Sequence, residues 1–177
     1  FTAPSRVLGK ERTAGTGDRL GIATPGHVCV FETYDAYPIL AQQSIRELHL
    51  TGRTFEKVLD DVSYAVFRED FQRGFGADGD HLKTPEEVAY ALSCGYTMIT
   101  LDCSEHIHGE AAEMTDEAVA ESYEPDAAIE ARYLGKRFTV GSHTLTFTPE
   151  LLRRTCLIYN EAIAFAVSIY RKFMKDG

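Results

Sequence analysis

The sequence predicts an α/β fold in which parallel strands alternate with helices and a long helix closes the chain. Three observations predict it. Thr84-Pro85-Glu86-Glu87 places a capping threonine, a proline at the first helical position and a capping-box glutamate in one run, and Gly95 stops that helix. Tyr96-Thr97-Met98-Ile99-Thr100-Leu101 follows it, β-branched and apolar on both faces, as a strand buried between helices requires. With Gly74-Phe75-Gly76-Ala77 as the preceding strand and Asp78 to Lys83 as a polar loop, these make one βαβ module of a parallel sheet.

The other elements follow in order. Phe1 to Leu20 lacks periodicity and reads as a loop. Within it, Gly15-Thr16-Gly17 reads as a tight turn, with an anion-holding loop as the alternative. Gly21-Ile22-Ala23 is a candidate short strand, Thr24-Pro25-Gly26-His27 a turn, and the apolar Val28 to Phe31 either strand or helix. An apolar stretch from Pro38 ends in the amides Gln42 and Gln43. Ser44 and Glu47 form a capping box, so a helix starts at Ser44 and stops at Gly52. Thr54 opens the next helix, whose Phe55, Val58, Leu59, Val62 and either Ala65 or Val66 share a face, and which fades near Asp70.

Acidic and alanine residues then dominate, with helices at Thr115 to Tyr123 and near Ala127 to Tyr133. Alternation from Arg137 to Phe147, broken by Gly141-Ser142, is a hairpin. Thr148-Pro149-Glu150 opens the long final helix, with Leu152, Cys156, Tyr159, Ile163, Ala166, Tyr170 and Phe173 as its packing stripe.

Length and composition bound the function. The 177 residues amount to a single α/β domain, expected to be a fragment of something longer because the chain opens at Phe1 rather than Met. Acidic residues outnumber basic ones by 27 to 18, for a net charge of −9, which repels phosphate backbones and anionic lipid. Nucleic acid and membrane are therefore not expected partners, and the chain reads as cytoplasmic. A homo-oligomer is compatible with the sequence. The scattered Cys29, Cys94, Cys103 and Cys156 suggest neither a zinc ribbon nor a disulfide framework, and are expected to be reduced, mostly buried thiols.

Polar groups at the carboxyl ends of parallel strands are where such sheets place their sites. Asp78-Gly79-Asp80-His81-Leu82-Lys83 brings two carboxylates, an imidazole and an amine into six residues, a density that suits a divalent metal of the Zn, Mn, Co or Ni kind. A solvated turn is the competing reading, and Gly76 and Gly79 favour the site by permitting close approach of a ligand. Asp102 stands directly at a strand's end. His106 and His108 have a workable metal spacing, yet two ligands do not make a site, and an ordinary surface loop is the better reading. Cys103 reads as an inert thiol. Ser44 and Glu47 are explained by capping alone, while Arg46 beside them can grip a carboxylate. His27 reads as a loop histidine, and His49 and His143 as structural or exposed.

Gly17-Asp18-Arg19-Leu20-Gly21, Ala23-Thr24-Pro25-Gly26-His27, Ala41-Gln42-Gln43-Ser44-Ile45-Arg46-Glu47 and Gly74-Phe75-Gly76-Ala77-Asp78-Gly79-Asp80-His81-Leu82-Lys83-Thr84 stand in this order. Together they resemble the tagaturonate epimerase family, bacterial enzymes of hexuronate catabolism related to tagatose 4-epimerases. The family is substantially longer, so the resemblance implies a partial TIM-like (β/α) barrel that needs further ligands from outside this chain. It also implies an isomerase that interconverts D-tagaturonate and D-fructuronate, sugar acids, with a divalent metal as cofactor. On that reading Asp80, Lys83 and Glu47 are catalytic, Gln43, Ser44, Arg46, Thr100 and His27 bind substrate, and Asp80, His81 and Asp102 hold the metal. The carbon inverted lies β to the ketone, where enolisation cannot reach, so retro-aldol cleavage and re-formation is the implied route. A nicotinamide route is not indicated, since no Gly-x-Gly-x-x-Gly joins a strand to a helix. A metal-dependent aldolase or isomerase and a non-catalytic sugar-acid binding module are the alternatives.

Overall fold

A computed structural model describes residues 2–7, 9–10 and 12–175. The chain divides into two compact units, Phe1–Asp102 and Cys103–Gly177.

In the first unit, four strands form one all-parallel sheet in sequential order: β1 (Thr13–Gly15), β2 (Tyr37–Ser44), β3 (Gly76–Leu82) and β4 (Met98–Leu101). The helices between them are α1 (Thr24–Thr33), α2 (Ile45–Thr51), α3 (Phe55–Arg68) and α4 (Pro85–Ser93). Their ends lie where the local chemistry sets them. The Ser44 hydroxyl accepts from the Glu47 amide while Glu47 returns to the Ser44 amide, and Gly52 closes α2 in the left-handed region at φ 65°. Thr84 and Glu87 repeat the capping box on α4, with Pro85 in its first turn. α3 buries the predicted face, Phe55, Val58, Leu59, Val62, Ala65 and Val66, beneath Tyr96, whose ring meets Phe55 edge-on at 4.9 Å.

Several expectations are corrected. The stretch up to Leu20 is not loop throughout. Its Phe1, Leu8 and Glu11 lie outside the described residues, but Thr13–Gly15 is a strand, too short for any period to reveal, registered on Tyr37–Ile39. Gly15 is therefore a strand residue rather than part of a turn. Gly21-Ile22-Ala23 is not a strand. The amides of Gly21 and Ile22 donate to Asp18 Oδ1 at 2.8 and 3.0 Å, and those of Ala23 and Thr24 to Oδ2 at 2.7 and 2.8 Å. Thr24 Oγ1 adds a fifth bond at 2.8 Å, so one buried carboxylate organises the entry to α1. The segment left open at Val28 to Phe31 is helical, and it carries His27 with it.

β3 runs further than expected. Asp78 to Leu82 continue the strand rather than forming a loop, because β2 and β4 pair with it on both sides and override the weak strand propensity of Asp and Gly. A Cβ on Gly79 would stand 3.0 Å from Ala91 Cβ and 3.1 Å from Leu82 Cδ1, and one on Gly76 would stand 2.8 Å from Val7. These glycines admit protein packing, not a ligand. β4 is half-buried at every position rather than fully enclosed.

In the second unit, α5 (Asp116–Ser122) and α6 (Ala127–Tyr133) precede an antiparallel hairpin of β5 (Arg137–Val140) and β6 (His143–Thr146) that turns at Gly141-Ser142. α7 (Pro149–Ile169) follows, continuing into a π-helical turn at Tyr170–Met174. Leu152 and Cys156 pack with Tyr123, Ile129, Tyr133 and Phe147. The stripe expected on α7 is buried only in part: Tyr159, Ile163 and Tyr170 are exposed, while Ala162 and Ile169 are buried. Of the thiols only Cys156 is buried, Cys29 is exposed, and all four are free. No helix among the described residues is long and apolar enough to cross a membrane.

Burial works against the charge of Asp18, but the Thr24 hydroxyl and the amides of residues 22–24 outweigh it and hold the carboxyl below its ordinary range. Asp18→Ala strands those donors and is expected to cost roughly 2–4 kcal/mol in urea denaturation at neutral pH. A depressed folded value means that the difference between wild type and variant is complete above the ordinary carboxylate range. It shrinks as the pH falls through the folded value.

Candidate functional site

The C-terminal ends of β2, β3 and β4 carry Ser44, Asp80 and, one residue past β4, Asp102, and a cleft of about 830 Å³ opens there within the first unit. Ser44, Arg46, Glu47, Asp80, His81, Lys83 and Asp102 line it, so seven residues expected at the site are brought together. Ser44 and Asp80 are register partners on adjacent strands.

β3 changes register between Gly79 and Leu82, and His81 sits in this break at φ 54°, in the left-handed region that non-glycine residues avoid. The break swings the imidazole back beside its neighbour, with Nδ1 2.9 Å from Asp80 Oδ1. Asp80 is nearly buried, whereas the His81 side chain is 64% exposed. Lys83 Nζ lies 3.7 Å from Asp102 Oδ2, and the Lys83 amide donates to Glu87 at 2.7 Å, fixing the backbone that leaves the strand.

Glu47 is tied from both sides. Arg19 Nε donates to its Oε1 at 2.5 Å and the Ser44 amide to its Oε2 at 3.2 Å. Burial opposes its charge, but the Ser44 amide and the Arg19 guanidinium prevail and hold the carboxyl below its ordinary value. It is thus an ionised anchor for Arg19 and a weak proton acceptor. Arg46, exposed on the same helix, has no ion-pair partner among the described residues.

Three expected residues lie elsewhere. Gln43 is fully buried on the opposite side of β2, where Arg53 Nη1 donates to its Oε1 at 3.1 Å and its amide faces Thr51 at 3.4 Å. Thr100 donates its hydroxyl to Asp78 Oδ2 at 2.8 Å rather than facing the cleft. His27, on α1, does not line the cleft, and its Nδ1 is buried with no hydrogen-bond partner among the described residues. Sequence reasoning does not assign Arg19, Glu87 or His49 to the site, yet all three line the cleft. Arg19 stands only within a family block, capping explains Glu87, and His49, read as structural or exposed, is exposed on the helix that carries Arg46 and Glu47.

Asp78 is fully buried, one turn of the pleat behind Asp80. Its Oδ2 accepts from Thr100 and, at 3.4 Å, Gln42, while Oδ1 has no partner among the described residues. Burial pushes this carboxyl up, against the Thr100 bond, and the charge of Asp80 adds to the rise.

The described residues do not by themselves assemble a metal centre: no three His, Cys, Asp or Glu side chains converge as a ligand set. Asp80 and His81 stand together, but Asp102 is turned toward Lys83. A catalytic zinc-type site takes three protein ligands, so the expected trio is not formed here.

Parallel strands with a cleft at their C-terminal edge, lined mainly by charged and polar side chains, define an α/β protein whose candidate site stands where such sheets place their ligands. The chain belongs to the tagaturonate epimerase family, whose model, UxaE, matches residues 1–177. It is 41% identical over 171 residues to the tagaturonate/fructuronate epimerase of Thermotoga maritima, across 95% of this chain and 35% of that protein. The native crystal structure of fructuronate-tagaturonate epimerase UxaE from Cohnella laeviribosi matches with a TM-score of 0.90 and 49% identity, over 99% of this chain and 37% of that one. Its complex with two glycerols gives 0.92 and 48% over the same shares. The chain thus spans little more than a third of the length of these relatives.

The left-handed backbone at His81 carries a prediction. His81→Gly is expected to raise stability by roughly 1 kcal/mol in chemical denaturation, because glycine adopts that φ without strain. His81→Ala, which removes the imidazole but keeps the Cβ, gains nothing.

Proposed function

We propose that the longer protein of this family, of which this chain is one part, interconverts D-tagaturonate and D-fructuronate within a (β/α) barrel to which this sheet contributes. The observation that carries the reading is the convergence of Asp80, Lys83, Ser44 and Arg46 in one cleft, in a chain whose residues 1–177 match the family model. The two sugar acids differ at the hydroxyl-bearing carbon β to the ketone. Its proton is not acidified by the carbonyl, so simple enolisation does not invert it, whereas breaking and re-forming the bond to the α carbon does.

In the proposed reaction a base takes the proton of that hydroxyl, the bond to the α carbon breaks, and an aldehyde and an enediolate form. The aldehyde presents its other face, the bond re-forms and the proton returns. Asp80 and Lys83 are the groups of the cleft suited to hold and return that proton. Arg46 is a carboxylate-sized cation on its rim, and Ser44 orients a hydroxyl. Glu47 acts on substrate through Arg19, which it fixes. A divalent ion of the Zn, Mn, Co or Ni kind, held by Asp80 and His81 with ligands from the rest of the longer protein, would supply Lewis acidity toward the ketone.

In the full-length enzyme Asp80→Asn is expected to lower kcat by roughly a hundredfold or more, the scale of a lost acid/base contact. Arg46→Gln is expected to raise KM for the hexulosonate by about tenfold with a smaller effect on kcat, as removal of a binding contact does. Product analysis tests the reaction class. An epimer without released fragments supports the proposal, free three-carbon fragments make the protein an aldolase, and binding without conversion makes it a sugar-acid module.

A further inference from the structure

The second unit holds a cluster of titratable groups that the cleft does not use. Two short 3₁₀ turns, Ser104–His106 and Gly109–Ala112, place His106 and His108 against Glu161 of α7. Each imidazole takes one oxygen of that carboxylate: His106 Nδ1 lies 2.9 Å from Oε1 and His108 Nε2 2.6 Å from Oε2. The other nitrogen of His108, Nδ1, lies 3.2 Å from Glu110 Oε1. The His106 ring stacks on Phe165 at 4.5 Å, and the His108 amide donates to the Ile158 carbonyl at 3.1 Å. Arg154 of α7 binds the carbonyls of Ala111 and Met114 just beyond, and is itself paired with Asp116.

The count of protons decides what this cluster is. An ionised carboxylate only accepts, and a neutral imidazole has one N–H to give. His108 meets a carboxylate oxygen at both ring nitrogens, so both contacts are hydrogen bonds only when the ring is an imidazolium. We propose that His106, His108 and Glu161 form a proton-dependent clasp that fastens residues 104–110 to α7 and loosens when His108 loses its proton, since the neutral ring donates to only one of Glu161 and Glu110 and no longer carries charge toward either. The groups that face His108 are Glu161 and Glu110, and the group that faces His106 is Glu161. Both carboxylates that face His108 favour its protonated state.

The Glu161 bond, opposed by slight desolvation and aided by Glu110, raises the affinity of His108 for its proton, and the two histidines hold Glu161 below its ordinary value. The sign follows from linkage. A raised histidine stabilises the clasp below its ordinary value and ceases to do so as the pH rises through the folded value. A depressed Glu161 sets the acid limit in the opposite sense. The clasp is therefore complete at mildly acid pH, above the ordinary glutamate value and below the ordinary histidine value, and it weakens as the pH rises through the folded value of His108.

The test uses the full-length protein and mass spectrometry. Histidine C2–H exchange is expected to give His108 a midpoint above the ordinary histidine value, lowered in Glu161→Gln. Amide exchange in residues 104–112, corrected for its intrinsic pH dependence, is expected to quicken about tenfold between pH ~6 and ~8.5 in the wild type and not in Glu161→Gln. A His108 midpoint at or below the ordinary value overturns the proposal. So does a segment whose corrected exchange ignores pH, or a Glu161→Gln profile that matches wild type. Should that variant fail to fold, Glu110→Gln, which removes one of the two acceptors, must lower the His108 midpoint. An unchanged midpoint there also overturns the clasp.

Discussion

β3 is bonded along its length to β2 and, on its other side, to β4, and the geometry of the site follows from where that pairing breaks. Asp78 and Gly79 are held in register by both neighbours, and Leu82 rejoins β4 at Leu101. Between them the chain must absorb a shift, and it does so at Asp80 and His81, with His81 taking the left-handed conformation. The consequence is chemical. A regular strand would send two consecutive side chains to opposite faces, but the break brings carboxylate and imidazole within 2.9 Å. Strain confined to one residue, flanked by pairing that over-determines it, persists without unravelling the strand.

The residues around the break are held by interactions that never enter the cleft. Arg53, almost wholly buried, donates to the Asp18 carbonyl at 2.7 Å, to Gln43 and to Asp61. It thereby ties the loop before α1 to β2 and α3. Asp18, organised by the amides of residues 21–24, sets the chain direction from which Arg19 reaches Glu47. Glu47 in turn is half of the capping box that starts α2 and brings Arg46 to the rim. A buried carboxylate thus positions a surface cation through three intermediate contacts, each satisfied by hydrogen bonds rather than by apolar packing.

What the sequence made legible is what local chemistry determines. Ser44 with Glu47, Thr84 with Glu87 and the Gly141-Ser142 turn mark their elements because caps and turns are decided within four residues, and each stands where the pattern puts it. The apolar period of Phe55 to Val66 marks α3 for the same reason. Contacts between distant segments were not legible. Thr13–Gly15 is a strand only because Tyr37–Ile39 pairs with it, and Asp78 to Leu82 is one only because of two neighbours. The cleft was readable where its residues cluster in sequence, at Asp80 to Lys83 and Ser44 to Glu47. Gln43 and Thr100 stand beside those clusters but were misplaced. Alternation turns Gln43 to the face opposite Ser44, and Asp78 takes up the Thr100 hydroxyl.

That alternation divides the sheet into two faces with opposite demands. On one, Ala41, Ala77 and Gly79 are small or lack a side chain, so that helices can approach, and Ala91 of α4 meets Gly79 with no room for a Cβ. On the other, Gln42, Asp78 and Thr100 bond across three strands, and Asp78 keeps an oxygen with no donor among the described residues. Burying polar groups in this way costs free energy, about 1–3 kcal/mol wherever a hydrogen bond is not made. The helical face can offset it. Leu40, Phe55, Val58, Val62, Phe75, Leu82 and Val88 are at most 1% exposed, and each fully buried aliphatic or aromatic side chain contributes about 1.5–3 kcal/mol. The apolar side of the sheet therefore determines how much polarity the other side can keep, and the cleft stands at the mouth of that polar side.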